Sequence, residues 1–240
     1  MLRTVSHLAL AGGLLLGTPL VASALVIDDF AAPLTTNAVV GLGGLPNPVN
    51  ATGGGAAAGA IGGNRGVALE RTAGGGTASV DVGLSTANAL SVSTGAGVAA
   101  NATVIYDGDT NGTPNTSGLG GIDVTDSGAN SVLRLLVESD QAGVVFRITF
   151  HDGAVNTFLD LVTTGGNTFG SPQLLSGNLA ALNQDILKNV GAITIDVFGP
   201  TSFDVSMKQF TTAVPEPGSL ALVAIGLAGL RYAGSRRRVA

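Results

Sequence analysis

The side chains in this sequence that are best suited to chemistry form an oxygen-rich group near its middle. Asp107, Asp109 and Asn111 occupy alternate positions in the run Asp-Gly-Asp-Thr-Asn-Gly, and Asp123 and Asp126 follow closely. Calcium prefers carboxylate and carbonyl oxygens as ligands, and glycine permits the tight bend of a calcium-binding loop. The spacing therefore makes this region a candidate calcium loop.

One position of this run departs from the pattern of a helix-loop-helix calcium site. The twelfth residue counted from Asp107 is Gly118, where such a site has a bidentate Glu. Two interpretations therefore stay open. Asp107, Asp109, Asn111 and Asp123 either ligate Ca²⁺ in a loop of another kind, or they form ordinary solvated turns, which Asp, Asn and Gly favour.

The neighbours His151 and Asp152 are the remaining candidates for acid-base chemistry. A single His beside an Asp at the end of a strand is more typical of a turn than of a general base. The sequence has no nucleophile elbow, zinc-ligand cluster or phosphate-binding loop to accompany this pair. We therefore predict no catalytic residues and a non-enzymatic protein, with a hydrolase as a less favoured class.

Sugar binding is a further hypothesis, and the aromatic content constrains it. Sugar faces commonly stack on exposed aromatic rings, but the chain has no Trp and only two Tyr, at positions 106 and 232. Tyr232 lies in a C-terminal tail that we expect to be removed, which leaves Tyr106 as the tyrosine candidate. The alternative function is therefore a glycan-binding module that uses polar loops, with or without calcium.

Charge and cysteine content narrow the choice of partners. Between positions 25 and 215 the chain has six basic and fifteen acidic residues, a net charge of −9. Such acidity disfavours nucleic acid and anionic membrane surfaces as partners. The chain has no Cys, so its stability depends on its core and on any cations it binds, without disulfides.

The elements that must position these side chains are predicted to be β-strands. In the segment 143–150, apolar residues at even positions alternate with a second set at odd positions, as in a strand with one buried face. Similar short runs occur at 26–30, 67–71, 78–82, 90–93, 103–106, 132–137, 157–162, 193–197 and 203–208. Many short strands separated by Gly- and Asn-rich turns predict an all-β domain, a β-sandwich or jelly roll.

Two segments differ from this pattern. Leucine and isoleucine residues within 179–190 have near-helical spacing, which predicts a short helix that caps one end of the sandwich. The segment 41–63 is rich in Gly, Pro, Ala and Asn and has no periodicity, so we predict a long flexible loop there.

The N-terminal 24 residues have the three parts of a secretory signal peptide. Arg3 precedes an apolar stretch at 8–21, and Ala22 and Ala24 flank Ser23 in the small-residue pattern that signal peptidase cuts. The apolar stretch is about 14 residues long, whereas a membrane span needs about 20. We therefore expect cleavage after Ala24 and export of the remainder.

The C-terminal end has the parts of a second processing signal. It begins with the residues Val214, Pro215, Glu216 and Pro217, continues with an apolar stretch at 220–230, and ends with a basic cluster made of Arg231, Arg236, Arg237 and Arg238. The prolines hold an extended backbone without ladder hydrogen bonds, which a protease can bind. The apolar stretch is expected to enter the membrane as a short transmembrane helix, and the arginines to stay cytoplasmic.

This combination resembles the PEP-CTERM sorting signal. The resemblance implies that an exosortase-like membrane protease cuts the tail near Pro215 to Pro217. It also implies a source among Gram-negative bacteria that make extracellular polysaccharide, where such proteases occur. Arg231 interrupts the apolar helix where the family usually continues it, so spanning requires its side chain to reach the cytoplasmic headgroups.

These patterns together predict three segments: a signal peptide at 1–24, a β-sandwich at 25–212 and a sorting tail at 213–240. The tail would anchor the chain transiently in the inner membrane before the protein reaches the cell surface or the extracellular space. We expect a non-enzymatic surface or extracellular-matrix protein associated with extracellular polysaccharide. A glycan-binding module is the alternative.

Overall fold

The structure is a computed structural model that describes residues 24–41, 49–83 and 85–214. The predicted signal peptide before Ala24, and the tail beyond Val214 with its Pro215, Glu216, Pro217 and arginine cluster, lie outside these residues. Within the described part of the chain, no helix has the length and apolar character needed to cross a bilayer.

Six antiparallel strands form one sheet of the fold. In spatial order they are β10 (Val155–Val162), β9 (Val145–Asp152), β12 (Ala192–Phe198), β7 (Ala99–Tyr106), β4 (Asn64–Ala73) and β3 (Val49–Ala56).

A second antiparallel sheet packs against the first. Its order is β11 (Gln173–Asn178), β8 (Val132–Ser139), β13 (Asp204–Ala213), β6 (Leu90–Thr94), β5 (Ala78–Val82) and β2 (Ala38–Val40). The short strand β1 (Val26–Asp28) pairs with the C-terminal half of β13 on the same side as β6. The predicted all-β sandwich is confirmed.

The core lies between the two sheets and follows the alternation seen in the sequence. In β9, Phe146, Ile148 and Phe150 are fully buried, whereas Arg147 and Thr149 are partly exposed. Even-numbered residues of β9 therefore face the opposite sheet. The fully buried side chains of β13 and the residue before it, which include Phe203 and Met207, pack into the same apolar cluster.

The prediction of a flexible loop over 41–63 is wrong for its second half, which contains the edge strand β3 and a 3-10 turn at Ile61–Gly63. Three consecutive glycines in β3 have no side chains that could alternate, which hid the strand. The glycines are needed because a Cβ at Gly53 would collide with the carbonyl oxygen of Thr36. At Gly54 it would collide with that of Thr110.

The predicted short helix is smaller than its pattern suggests. A 3-10 turn at Leu179–Ala181 precedes one α-helical turn, α1 (Gln184–Leu187). Asn183 caps α1 by accepting a hydrogen bond from the Asp185 backbone N–H at 3.1 Å. Ile186 and Leu187 bury this helix against the sandwich, so it closes one end of the core.

The two ends of the sandwich lie side by side. Strand β1 runs antiparallel to the end of β13, with Val26 opposite Thr211, and the Thr212 N–H donates to the Leu25 carbonyl at 2.8 Å. The chain therefore enters and leaves the fold at one pole, which we call the terminal pole.

Candidate functional site

The outer face of the six-stranded sheet, turned away from the core, presents side chains in rows that cross the strands. Strand register aligns a first row of Asp160, Arg147, Asp196, Thr103, Ala68 and Thr52. A second row, two residues along each strand, contains Val162, Val145, Phe198, Asn101, Glu70 and Asn50. Because neighbouring strands are about 4.8 Å apart, each row is about 24 Å long.

A groove of about 320 Å³ lies over the β7, β4 and β3 end of these rows. Its polar side chains are Asn50, Thr52, Glu70, Asn101 and Thr103. Within the described residues, those of Asn50, Glu70 and Asn101 make no hydrogen bond to another protein group, so they are free to bind a ligand.

The loop that follows β7 forms one side of this groove. Ile105 points to the outer face, yet it is fully buried because the loop at 107–121 covers it. A Cβ at Gly66 would collide with the carbonyl oxygen of Asn111, so the glycine permits this close approach. Gly112 of the same loop lines the groove.

Arg147 organises the other end of the rows. Its Nε and Nη2 each donate to Asp160 at 2.9 Å, and its guanidinium lies 4.8 Å from the ring centre of Phe158 and 5.8 Å from that of Phe198. The hydrogen bonds and charge of Asp160 raise the pKa of Arg147. The hydrogen bond from Arg147 lowers the pKa of Asp160. The cluster therefore holds one guanidinium in a fixed orientation on the sheet.

A short hydrogen bond links the groove to this cluster. The Thr103 hydroxyl donates to Asp196 Oδ1 at 2.6 Å, and Asp196 lies opposite Arg147 in the register. Polar side chains therefore continue from the groove across the middle of the sheet to Arg147. We call this continuous series of polar side chains the polar track. With Glu70 and Asp160 included, the two rows carry three carboxylates against one guanidinium, and the face has a net charge of −2.

The neighbours His151 and Asp152 are turned toward different partners. His151 Nε2 lies 3.3 Å from the Thr194 hydroxyl, and Asp152 accepts from the Asn189 side chain at 2.9 Å. Burial lowers the pKa of His151 in spite of the opposing charge of Asp196. The Asp152 carboxylate is engaged with Asn189, so the pair lacks the hydrogen-bonded arrangement of a base and its orienting carboxylate.

The predicted calcium ligands cap turns of the loop at 107–127. Asp107 is buried and accepts from the backbone N–H groups of Asp109 and Asn115, at 2.9 and 2.6 Å. Asp109 accepts from the Thr110 backbone and the Asn111 side chain, both at 2.6 Å. Each carboxylate keeps further lone pairs.

Asp123 sits in a separate turn of this loop. It accepts from the backbone and hydroxyl of Thr125 and from the Ser127 backbone. Burial raises its pKa, but these hydrogen bonds and the charge of Lys188 outweigh that effect and lower it. In the part of the chain that the structure describes, no three acidic or His side chains group as metal ligands. Calcium binding stays a prediction from the sequence pattern.

Tyr106, the tyrosine considered for sugar stacking, is fully buried and cannot stack on a ligand. Its hydroxyl donates to Asp28 Oδ2 at 2.9 Å, and Arg65 donates to both Asp28 oxygens at 2.6 Å. Burial and the charge of Asp28 raise the pKa of Tyr106 well above its ordinary value. Tyr106 therefore belongs to a buried ionic network.

The groove residues Asn50, Glu70 and Asn101 were not identified from the sequence. A polar residue at every second position of a strand is ordinary for a solvated face, so Glu70 and Asn101 carried no special signal. Asn50 belongs to β3, which was predicted as loop. Strand pairing alone brings the three together, because they come from β3, β4 and β7.

Comparison with protein families finds the PEP-CTERM protein-sorting motif at residues 213–238. The resemblance noted in the sequence is confirmed, and the chain carries this motif. The motif begins at the last residue of β13, Ala213, directly beyond the terminal pole. It indicates an exported protein that is sorted through the membrane.

Comparison with solved structures finds distant likenesses. The family 11 carbohydrate-binding module of the cellulosomal cellulase Lic26A-Cel5E of Clostridium thermocellum is 11% identical, with 80% of this chain and 95% of that chain covered and a TM-score of 0.35. A family 11 module from the same organism, in complex with a β-1,3-1,4-mixed-linked tetrasaccharide, is 11% identical over 75% of this chain and 96% of that chain, with a TM-score of 0.33. No curated protein matches the sequence.

Proposed function

We propose that this chain is an exported, non-enzymatic surface or extracellular-matrix protein that is sorted by an exosortase-like protease and associates with extracellular polysaccharide. The sorting motif at residues 213–238 is the observation that carries the proposal. Signal peptidase would remove residues 1–24, the sorting protease would remove the tail, and the sandwich at 25–212 would be the functional part.

The positions of the two ends support this sequence of events. Leu25 and Thr212 are hydrogen-bonded neighbours at the terminal pole, so both processing sites would face the membrane together. Strand β7 runs from Asn101 near the groove to Tyr106, which bonds Asp28 near the terminal pole. The groove therefore lies toward the opposite end of the sandwich, directed away from the membrane.

A glycan-binding module is the second candidate function, and the groove on the six-stranded sheet favours it. Ligand sites combine a concave surface with a small number of polar groups that fix orientation. Here Asn50, Glu70 and Asn101 provide such groups without a partner in the described part of the protein. Sugar hydroxyls can both donate to and accept from them.

Intact-mass analysis of the protein isolated from the cells that make it tests the processing. We expect a product that has lost residues 1–24 and Arg236 to Arg238. The double substitution Pro215→Ala and Pro217→Ala should leave the C-terminal arginines in place, because the extended backbone of the cleavage motif is altered. A native product that still contains Arg236 to Arg238 would refute the sorting step.

Incubation of the processed protein with polysaccharide extracted from the same cells tests the two other parts of the proposal, the association with polysaccharide and the non-enzymatic role. We expect the protein to co-sediment with the polysaccharide and to release no reducing ends. Steady release of reducing ends would favour a hydrolase. Absence of co-sedimentation would contradict the polysaccharide association while leaving the sorting proposal intact.

A further inference from the structure

We infer that the groove binds a neutral polysaccharide chain that lies across the strands of the six-stranded sheet, with Glu70 and Asn101 as the central contact residues. This inference rests on the proposed association with polysaccharide, and it adds the site and the chemical class of the ligand.

The hydrogen-bonding capacity of the groove fits sugar hydroxyls. Glu70 offers only acceptors when ionised, whereas Asn50 and Asn101 offer both donors and acceptors. Asn101 lies directly opposite Glu70 in the β7–β4 pair, and Glu70 lies opposite Asn50 in the β4–β3 pair. A hydroxyl placed between neighbouring strands can therefore donate to one side chain and accept from the next.

Apolar surface borders these polar groups. Phe198 lies opposite Asn101 in the β12–β7 pair and is partly exposed. Ala68, between Thr103 and Thr52 in the first row, leaves a flat floor because its side chain is small. A sugar ring has polar edges and less polar faces, so it matches a surface that alternates in this way.

The direction of the site favours a polymer over a single sugar. The hydrogen bond from Thr103 to Asp196 carries the polar track out of the groove toward Arg147, along rows about 24 Å long. The loop at 107–121 blocks the outer face on the side of the terminal pole, where it buries Ile105. The open path therefore runs across the strands, and a chain of linked sugars can follow it.

The charge of the track selects against acidic polymers. In these two rows Glu70, Asp196 and Asp160 are opposed by Arg147 alone, and its charge is already paired with Asp160 through Nε and Nη2. A uronate, sulfate or phosphate group on a ligand would meet net negative charge along these rows. Neutral polysaccharides meet no such repulsion.

The test is affinity electrophoresis of the full chain in gels that contain one polymer each. Dextran, a soluble β-glucan and galactomannan serve as neutral probes, and alginate and hyaluronate as acidic probes. We expect at least one neutral polymer to retard the protein and both acidic polymers to leave its mobility unchanged at moderate salt. Asn101→Ala combined with Glu70→Ala should weaken the retardation about tenfold, since two hydrogen bonds are lost.

Gln209→Ala is the matched control, because Gln209 is an exposed polar residue of the other sheet, in β13. It should bind as the wild type does. The single variants Asn101→Ala and Glu70→Ala, each with its melting temperature measured, keep the test decisive if the double variant does not fold.

Three results would overturn the inference. Retardation by a neutral polymer that is unchanged in the groove variants would place the site elsewhere and leave the proposed function standing. Stronger retardation by alginate or hyaluronate would refute the neutral ligand class. Failure of every neutral polymer to retard the protein would refute the inferred site and ligand class, whereas the polysaccharide association itself is decided separately by co-sedimentation with the cells' own polysaccharide.

Discussion

Two Arg–Asp pairs in this protein have nearly the same contacts and opposite surroundings. Arg65 and Arg147 each donate two hydrogen bonds to one Asp, and each lies over a Phe ring, at 5.2 Å for Arg65 and 4.8 Å for Arg147. Arg65 and Asp28 are fully buried, whereas the side chains of Arg147 and Asp160 are 42% and 37% exposed.

Burial decides what such a pair contributes. The buried pair joins β1 to β4 and, through the Tyr106 hydroxyl, to β7, so it connects the N-terminal strand to the opposite sheet. Removing one partner would leave a charge in the core. The exposed pair is screened by water and adds little to stability, but its guanidinium and rings lie where a ligand can reach them.

The largest loss of folding stability should come from placing a charge on the buried side of β9. Phe146→Asp introduces an unpaired carboxylate among core residues and should cost several kcal/mol, enough to unfold a typical domain. Thr149→Asp puts the same charge on the outer face and should cost far less. Urea titration of both variants measures the difference. Equal losses would mean that β9 has no solvent-facing side.

A smaller but still large loss of folding stability is expected when the buried pair of Arg65 and Asp28 is broken. Asp28→Asn keeps the shape of the side chain but leaves Arg65 without its counter-charge, which should destabilise the fold by about 3 to 5 kcal/mol. Asp29→Asn changes the exposed neighbour and is the control. Chemical denaturation of the two variants should separate them clearly. Similar midpoints would show that Arg65 finds another partner or that water enters the site.

Calcium offers an intermediate case, because Asp107 is buried like Asp28 but accepts hydrogen bonds from backbone N–H groups. If calcium binds there, a concentration about 100 times its Kd should stabilise the fold by about 2.7 kcal/mol. The rise in melting temperature should vanish in Asp107→Ala combined with Asp109→Ala and persist in Asp185→Ala. An unchanged melting curve at millimolar calcium would leave the solvated-turn interpretation.

The smallest loss of folding stability is expected when the exposed pair of Arg147 and Asp160 is broken. Asp160→Ala should leave the urea midpoint close to that of the wild type at neutral pH. Because Arg147 lowers the pKa of Asp160, any contribution is present above the unfolded pKa of about 3.9 and is lost as the pH falls through the lower folded value. Added salt should weaken it further. A large loss at neutral pH would contradict the contrast with Asp28.

The alternation of apolar residues was sufficient to identify most of the strands. Segments such as 143–150 and 193–197 carry enough apolar side chains at period two to indicate both the strand and its buried face. The short edge strands β2 and β11 and the glycine-rich β3 were missed. Few or no side chains alternate in those strands. The backbones of β2 and β11 pair with strands that are distant along the chain, whereas β3 pairs with the next strand, β4.

The all-β class, the acidic charge and the sorting motif at the C-terminus can be recognised from the residues alone, because composition, period-two alternation and a contiguous signal are local properties of a chain. The roles of individual polar residues depend on folding. Asp28 looked no different from Asp29 until folding placed it against Arg65 and Tyr106, and Tyr106 became a core residue instead of a sugar platform. Asn50, Glu70 and Asn101 are separated by up to about fifty positions and became one groove only through strand register. A binding surface on a sheet combines residues from neighbouring strands, whereas a sequence pattern follows one strand at a time.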